Sequence, residues 1–589
     1  MRTAPYVETK RMRLEKMRGQ LRSEREPFMA YWRDLASYIL PRSPRFLVTD
    51  VNKSAGRVNS KINDGTATLA ARTLAANMMA WITSPSRPWL RVNVQDPDLA
   101  ELDDVKAWCF TVTQRILAAF NRGRVYNSLA VMYKEMPTFG QAPVLIEEDL
   151  EHVLRTTVFP PGSFMVARGE RGTVNMFCRE YRMTVRQMIE AFSNSADPDW
   201  TKFSDHVRSL WEDGMRETWV DICHQIYPNQ EYSETKRQAR YKRFASCYYE
   251  AGYSGVREQN YLSDTDQEKF LRESGYDYFP VLCPAWEVTG EDSYASDCPG
   301  MTALPDVKSL QVNEKRCAQA IEKTVNPPMI APVAMRQKRV SMIAGDVTFM
   351  DVPQGQDGIK PLYQFNPPIG DLEEKSQQAR ERIKRAYFED LFLMMALDPK
   401  TQPVTAREVE ERHEEKLLAL GPVLERLNSE LLDPLVDITF KIMWDQGLIP
   451  PPPEAIKGAD LKIEYISLMA QAQVAAGAGN LQEFLFALGQ LASLKPSALD
   501  ALNEDEFVYA LAETRGLDPA LLRSEDEVLG MREARAKLQA QQAMTEAIPA
   551  GAKAVKDLAS AESGNGTSVL GNLANAVRDG QIDPAAGAA

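Results

Sequence analysis

Residues 305–326, PDVKSLQVNEKRCAQAIEKTVN, and 371–397, DLEEKSQQARERIKRAYFEDLFLMMAL, decide the fold. In the first, Val307, Leu310, Glu314, Cys317, Ile321 and Val325 recur at helical spacing and share one mostly apolar face. Pro305 suits the first helical position, where the N–H has no intrahelical partner. Pro327 and Pro328 end the helix, since neither can donate to it. In the second stretch Leu372, Ala379, Ile383, Tyr387, Leu391 and Met394 share a face, with Glu374, Gln378, Glu381 and Arg385 opposite. Between the two, RVSMI (339–343) and VTFMDV (347–352), joined by Ala344-Gly345-Asp346, predict a small β hairpin. If the helices pack side by side, they carry this hairpin outward as an arm that one chain buries poorly. Ile383, Tyr387, Leu391 and Met394 are then candidates for packing between subunits, which head-to-tail contacts in a ring would supply. A helical hairpin packed within one globular chain is the alternative, and the pattern alone does not separate them.

Downstream, LDPKTQP (397–403) breaks the helix, and Thr405 with Glu408 forms a capping box. A long helical pattern follows to about Trp444, with Leu417, Leu420, Leu424, Leu427, Leu431, Leu435 and Ile438 among its apolar positions. Pro422 and Pro434 lie inside it and predict kinks. After Pro450–Pro453 come a strand-like LKIEYI (461–466), an apolar helix over 468–494, a helix over 505–514, and a helix capped by Ser524 and Glu527. Residues 550–589 are rich in Ala and Gly and read as a flexible or weakly helical tail. Upstream, Phe28, Trp32, Leu35 and Ile39 mark a helix stopped by Pro41. Asn63 or Asp64 can cap a second, with Leu69, Thr73, Asn77 or Met78, and Trp81 as its apolar face. Strands are predicted at 89–94, 142–148, 152–159, 172–181, 218–227 and 279–286, and a capping box, Thr184 with Gln187, opens a helix through Phe192. The fold class is α+β, predominantly helical.

The chain of 589 residues is 44% apolar and 26% charged, as an ordinary globular protein is. No apolar run approaches the roughly 20 residues of a membrane helix, and the N-terminus lacks the apolar core of a secretory signal. Net charge is −13, against the basic balance of a DNA-coating protein. It is uneven: residues 1–50 carry 11 Lys/Arg and 6 Asp/Glu, whereas 500–530 carry 9 Asp/Glu and 2 Arg. Both read first as solvated helix faces. Seven cysteines without a C-x-x-C pair predict reduced thiols, and four scattered histidines give no zinc spacing. There is no P-loop, no H-E-x-x-H (residues 413–417 are HEEKL) and no G-x-S-x-G. No catalytic, cofactor or metal residue is therefore assigned. Glu147-Glu148-Asp149 is the best metal site available to a DNA-processing enzyme of unfamiliar motif, one rival reading. A monomeric capsid or tail scaffold or adaptor is the other.

Several segments resemble the head-to-tail connector, or portal, proteins of short-tailed bacteriophages. They are DGTATLAARTLAANMMAWITSPSRPWLRV (64–92), NSLAVMYKEMPTFGQAPVLIEED (127–149), YASDCPGMTALPDVKSLQ (294–311), KTVNPPM (323–329), FEDLF (388–392), VTAREVEERHEEKLLALGPVLERLNSELLDPL (404–435) and IEYISLMAQAQ (463–473). Near Tyr294 the chain reads Ala-Ser-Asp-Cys-Pro where that family often has Gly-Arg-Ser-Pro. The resemblance implies a closed ring, usually of twelve subunits, at a capsid vertex of the virion, made in the bacterial host cytoplasm. It implies a wing over 1–304, stem helices over 305–326 and 371–397, and a clip over 327–370. It also implies a tunnel loop over 398–404, a long kinked wing helix over 405–447 and a helical crown over 448–549, followed by the tail over 550–589. The implied partners are other copies of the chain, major capsid and scaffolding proteins, the terminase large subunit, a tail adaptor, and double-stranded DNA held without sequence preference. No cofactor is implied. Candidates for lining the DNA channel are Arg382, Arg385 and Lys400. Glu381 and Arg385 also suit an ordinary i,i+4 surface pair.

Overall fold

The computed structural model describes residues 8–50, 60–100, 102–330 (apart from 195, 196, 237, 258 and 291), 360–361, 368–389, 421–458, 461–465, 528, 530–538, 562–563 and 567–568. The chain divides into two units, residues 1–100 with 108–502, and residues 101–107 with 503–589. In the second unit the described elements are the start of a helix at Asp103, a helix over 530–538, and a pairing of Glu562–Ser563 with Thr567–Ser568.

The first unit mixes helix and strand. Helix α1 spans Lys10–Tyr38 and α2 Thr66–Trp81. Strand β1, Leu90–Val94, precedes the short α3, Pro97–Ala100, then α4, Asp103–Arg122, and α5, Val125–Phe139. Strands β2 (Val144–Asp149), β3 (Val153–Val158), β4 (Phe164–Arg168) and β5 (Val174–Thr184) lead to α6 (Val185–Phe192) and α7 (Asp205–Glu212). Strands β6 (Trp219–Pro228), β7 (Phe244–Ser254), β8 (Arg272–Tyr276) and β9 (Val281–Leu282) follow. The arm comprises α8 (Pro299–Val325), β10 (Met329–Ile330), β11 (Lys360–Pro361) and α9 (Ile369–Ala386). Helix α10 (Asp433–Asp445) and β12 (Leu461–Tyr465) come last. The strands form an antiparallel sheet in the order β4-β5-β6-β7-β8, a three-stranded sheet β3-β2-β9, and a ribbon of β1 with β12.

Alternation explains the large sheet. Cys178, Cys223, Cys247 and Tyr249 face α1, whose Leu14 and Leu21 seal that side. On the other face Ile222 and Tyr248 lie under α6 and α7, through Val185, Met188, Ile189, Val207 and Leu210. The capping box that opens α6 is fully formed: Gln187 N–H donates to Thr184 Oγ1 at 3.3 Å, and Thr184 N–H to Gln187 Oε1 at 3.1 Å. All seven cysteines are free and buried. No helix among the described residues is long and apolar enough to cross a membrane.

Three sequence expectations need correction. First, α2 buries Ala67, Ala70, Ala71, Leu74, Ala75 and Met78, whereas Leu69 lies outward; small residues let the helix approach α5 closely, so bulk misidentified the inner face. Second, α8 starts at Pro299 rather than Pro305. Pro305 sits inside it and frees the Met301 carbonyl, which accepts from the Tyr31 hydroxyl at 3.5 Å. Third, the strand predicted at 279–286 shrinks to two residues, while β4, β7 and β8 were not anticipated. The Pro434 kink takes a definite form. A π turn over Asn428–Leu432 leads directly into α10, which has Pro434 in its first turn. The capping boxes at 405 and 524, the hairpin at 339–352, the tunnel loop at 398–404 and the apolar helix over 468–494 lie outside the described residues.

Candidate functional site at the root of the helical arm

Helices α8 and α9 pack side by side in opposite directions, and β10 pairs with β11 at their far end. Their inner faces bury Val307, Leu310, Cys317 and Ala320 from α8, and Ser376, Ala379 and Ile383 from α9. Cover stops there. Every residue from Ile321 to Asn326 is exposed, and the apolar Ile321, Val325, Met329 and Ile330 are 46%, 79%, 37% and 44% exposed. Among the described residues the arm is anchored at its root and uncovered from Ile321 onward along α8.

The anchor begins where α8 meets the end of α5. Gly300 lies so close to Thr138 that a Cβ there would stand 2.4 Å from the Thr138 carbonyl oxygen. Gly140 closes α5 in the left-handed region (φ +90°), which glycine adopts without strain. The Cys298 thiol donates to the Thr138 carbonyl at 3.4 Å, and the Trp32 indole N–H to the Phe139 carbonyl at 3.2 Å. Phe28, Trp32, Phe164 and Tyr294 pack their rings around this point.

A polar lock then ties both arm helices to the loop before α2. Gln311, buried on α8, accepts from the N–H groups of Asn63 (2.6 Å) and Asp64 (2.8 Å) and donates back to the Asp64 carbonyl (2.9 Å). Arg380 on α9 donates to Asp64 Oδ2 at 3.0 Å and to Glu314 Oε1 on α8 at 2.8 Å. Asp64 Oδ1 also accepts from Thr66 N–H at 2.8 Å, so it serves the start of α2, although the N-cap position itself is Gly65. Burial pushes the Asp64 carboxyl up, but the Thr66 bonds and the Arg380 guanidinium outweigh it and hold it below its ordinary value.

The structure separates the predicted site residues. Ile383 and Tyr387 are fully buried within their own chain. The cover at these two positions comes from the same chain. Arg382 forms a bidentate pair with Asp306 of α8, Nη2 donating to Oδ1 at 2.7 Å and Nε to Oδ2 at 3.1 Å. Arg385 is exposed and makes no ion pair among the described residues; the i,i+4 pair with Glu381 does not form. Helix α9 ends at Ala386 rather than Leu397, because Phe388 turns into the left-handed region (φ +57°) and brings its ring to Trp286. Leu391, Met394 and Lys400 lie outside the described residues. In the acidic cluster, Glu147 pairs with Arg155 (2.8 Å), Glu148 accepts from Gln446 (3.0 Å) and Asp149 accepts from Glu151 N–H (2.8 Å). Each carboxylate is occupied separately, and no group of three metal-ligating side chains occurs among the described residues.

Pattern reading missed Asp64, Gln311, Glu314 and Arg380 as a set. One signal was available: Gln311 is a polar residue beside the inward face of α8. Its partners lie some 250 residues away, which no local periodicity reports.

Two antiparallel helices are thus rooted in the mixed sheet and helix of the chain, with the last described residues of α8 and β10 uncovered. Comparison with known proteins gives the class. The family model described as bacteriophage head to tail connecting protein matches residues 11–522. The portal protein of Salmonella phage epsilon15 is 44% identical over 574 residues, 97% of this chain and 99% of that protein. The probable portal protein of Bordetella phage BPP-1 is 40% identical over 493 residues, 84% and 85% of the two chains. The chain belongs to the bacteriophage head-to-tail connecting protein family. Its place is in the virion, at the junction of head and tail.

Proposed function

We propose that this phage portal protein works as a closed ring of twelve subunits at one capsid vertex. Its central channel carries double-stranded DNA inward during packaging and outward during ejection. The observation that carries the ring is the arm: α8 and α9 are fixed at their root, yet leave Ile321, Val325, Met329 and Ile330 without cover in one chain. Several exposed apolar side chains close together in the chain are what an interaction with a neighbour would cover. A ring of identical arms covers it with the same element from each neighbour.

In this reading residues 1–304 and 405–447 form the wing, 305–326 and 371–397 the stem, 327–370 the clip, 398–404 the tunnel loop and 448–549 the crown. The clip docks the terminase large subunit and later the tail adaptor, and the wing meets the major capsid and scaffolding proteins. The chain is made in the host cytoplasm and assembled there. It moves DNA by geometry and performs no chemistry of its own. Duplex DNA carries one charge per ~1.7 Å, so a strongly basic lining would grip it. Arg385 and Lys400 are the cations proposed to face the channel, touching phosphates without reading sequence. Arg382 would reach it only as a pair already neutralised by Asp306.

Native mass spectrometry with negative-stain imaging of the purified protein tests the proposal. A ring near twelve times 66.2 kDa is expected. A stable monomer that stays monomeric when co-expressed with capsid and scaffolding proteins would overturn it.

A further inference from the structure

Arg380 and Arg382 are taken up by carboxylates of their own chain, but the connection between β6 and β7, residues 229–243, holds its cations differently. We propose that this connection is a contact surface for the phosphate backbone of duplex DNA, separate from the cations assigned to the channel. The inference takes from the proposed function only that DNA is the polyanion this protein meets, and it does not depend on the ring. The stretch TKRQARYKR (235–243) carries five Lys/Arg and no Asp/Glu, in a chain whose net charge is −13. Its backbone is pinned. Asn229 N–H donates to the Arg243 carbonyl at 2.9 Å, and the Asn229 amide to the carbonyls of Arg240 and Lys242, both at 2.8 Å. Ser233 N–H donates to the Tyr241 carbonyl at 3.0 Å. The single turn Ala239–Tyr241 sits on β8, so closely that a Cβ at Gly275 would stand 2.3 Å from the Ala239 carbonyl oxygen. Lys236 Nζ and the Arg240 guanidinium lie 4.2 and 4.9 Å from the centre of the Tyr241 ring. Arg13 of α1 joins the base of the connection by donating to Gln230 Oε1 at 3.4 Å.

These charges are weakly committed. Arg13, Lys236 and Arg243 are exposed and make no ion pair among the described residues. Arg240 reaches Glu231 only at 3.4 Å, with both side chains more than half exposed, and Lys242 reaches Asp277 at 3.2 Å. Exposed pairs of this kind contribute little and exchange readily. The Tyr241 ring keeps Lys236 and Arg240 together without neutralising them. Cations in this state can replace the counterions condensed on DNA, and that replacement is the source of affinity for phosphates. Glu231 and Glu234 stand in the same connection. They would repel a broad acidic protein face, whereas a phosphate strand is a narrow line of charge that meets the cations one at a time.

The test is binding of the intact purified protein to a mixed-sequence duplex of about 30 base pairs, read by fluorescence anisotropy from roughly 50 to 200 mM sodium chloride. The set is wild type, the triple variant Lys236→Gln/Arg240→Gln/Arg243→Gln, Glu231→Gln and Arg385→Gln, with the native mass of each measured alongside. The triple variant should bind at least about tenfold more weakly near 100 mM salt, and its slope of log affinity against log salt should be shallower by about 3. Glu231→Gln, which frees Arg240, should tighten binding. Duplexes of different sequence should bind alike. If the triple variant does not fold, Arg243→Gln alone should make the slope shallower by about 1. Unchanged affinity and slope in the hairpin variants would overturn the proposal, as would a wild type that binds no duplex. If Arg385→Gln alone lowered the slope, the channel reading would stand while this surface fell. A triple variant that binds DNA as wild type does but changes its native mass would also overturn it, in favour of an acidic neighbouring protein.

Discussion

Replacing Arg380 by alanine should loosen the arm at its root without unfolding the five-stranded sheet. Arg380 is 23% exposed, Asp64 13% and Glu314 25%. Two charge-assisted hydrogen bonds link them, each worth about 1.5–3 kcal/mol when buried. Residual exposure discounts these by roughly half. Removing the cation also leaves two half-buried carboxylates without their shared partner, which adds to the loss. The expected cost is about 2–3 kcal/mol, paid in local opening of the arm. A chain of 589 residues in two units gives no single two-state unfolding energy, so hydrogen exchange of the amides in residues 369–386 is the suitable assay. At 1.4 kcal/mol per tenfold, exchange there should accelerate about 30- to 150-fold, while β5 to β7 stay unchanged. Asp64→Asn in the same background completes a double-mutant cycle, with a coupling of about 1 kcal/mol or more expected. An acceleration below about threefold, or strictly additive mutations, would refute the lock. The pH dependence carries a definite sign. Asp64 is held below its ordinary value of 3.8, so the unfolded chain binds its proton first on acidification. The lock is complete at neutral pH and fades as pH falls below about 4.

Further outcomes follow from the same geometry. Tyr387→Asp should prevent folding of the arm root, whereas Tyr387→Phe should be tolerated, because the ring is fully buried and its hydroxyl makes no hydrogen bond of ordinary geometry among the described residues; soluble yield and circular dichroism distinguish the two. Gly300→Ala would force a Cβ against the Thr138 carbonyl and should cost about 1–3 kcal/mol, read as a lower melting temperature. Glu135 is held up to about 7 by burial, only partly offset by its bond from the Ser43 hydroxyl. Its folded pKa lies above its unfolded one, so it weakens the fold as pH rises from about 4.5 to 7. Glu135→Gln should then be stabilising at pH 8, by up to about 3 kcal/mol, with no gain at pH 4; a melting-temperature difference that does not change between these pH values would count against it.

The sequence made the arm legible because both helices carry strong periodicity and Pro327 and Pro328 end the first of them. It also marked the capping box at Thr184, where two side chains suffice to define a helix start. It failed where tertiary packing outweighs local pattern. Strand β7, FASCYYEAGYS, is buried on both faces at most positions and so lacks the alternation of a half-exposed strand. The inner face of α2 is alanine, which hydrophobic periodicity undervalues. Tyr387 looked available because a helical face gives no indication of which surface covers it, and here the covering surface belongs to the same chain. The family resemblance reached the function through spaced segments, but it did not reveal Asp64, Gln311 and Arg380 as a unit.

Charge gives the clearest lesson about reading function from composition. The basic N-terminal segment suggested either a solvated face or a binding patch, and it is neither for several of its arginines. Arg11 and Arg25 are buried, donating to the carbonyls of Glu250 and Gly162. Arg18 and Arg22 meet Glu180 on the sheet. Arg380 and Arg382 in α9 are likewise bound to carboxylates of their own chain. Cations committed inside the fold cannot exchange places with the counterions of DNA, and that exchange is the source of salt-sensitive affinity. A connector built in this way keeps its arginines for holding helices on sheets. Substituting Arg385, which has no such commitment among the described residues, should therefore leave stability nearly unchanged, and any effect should appear in the salt dependence of DNA passage.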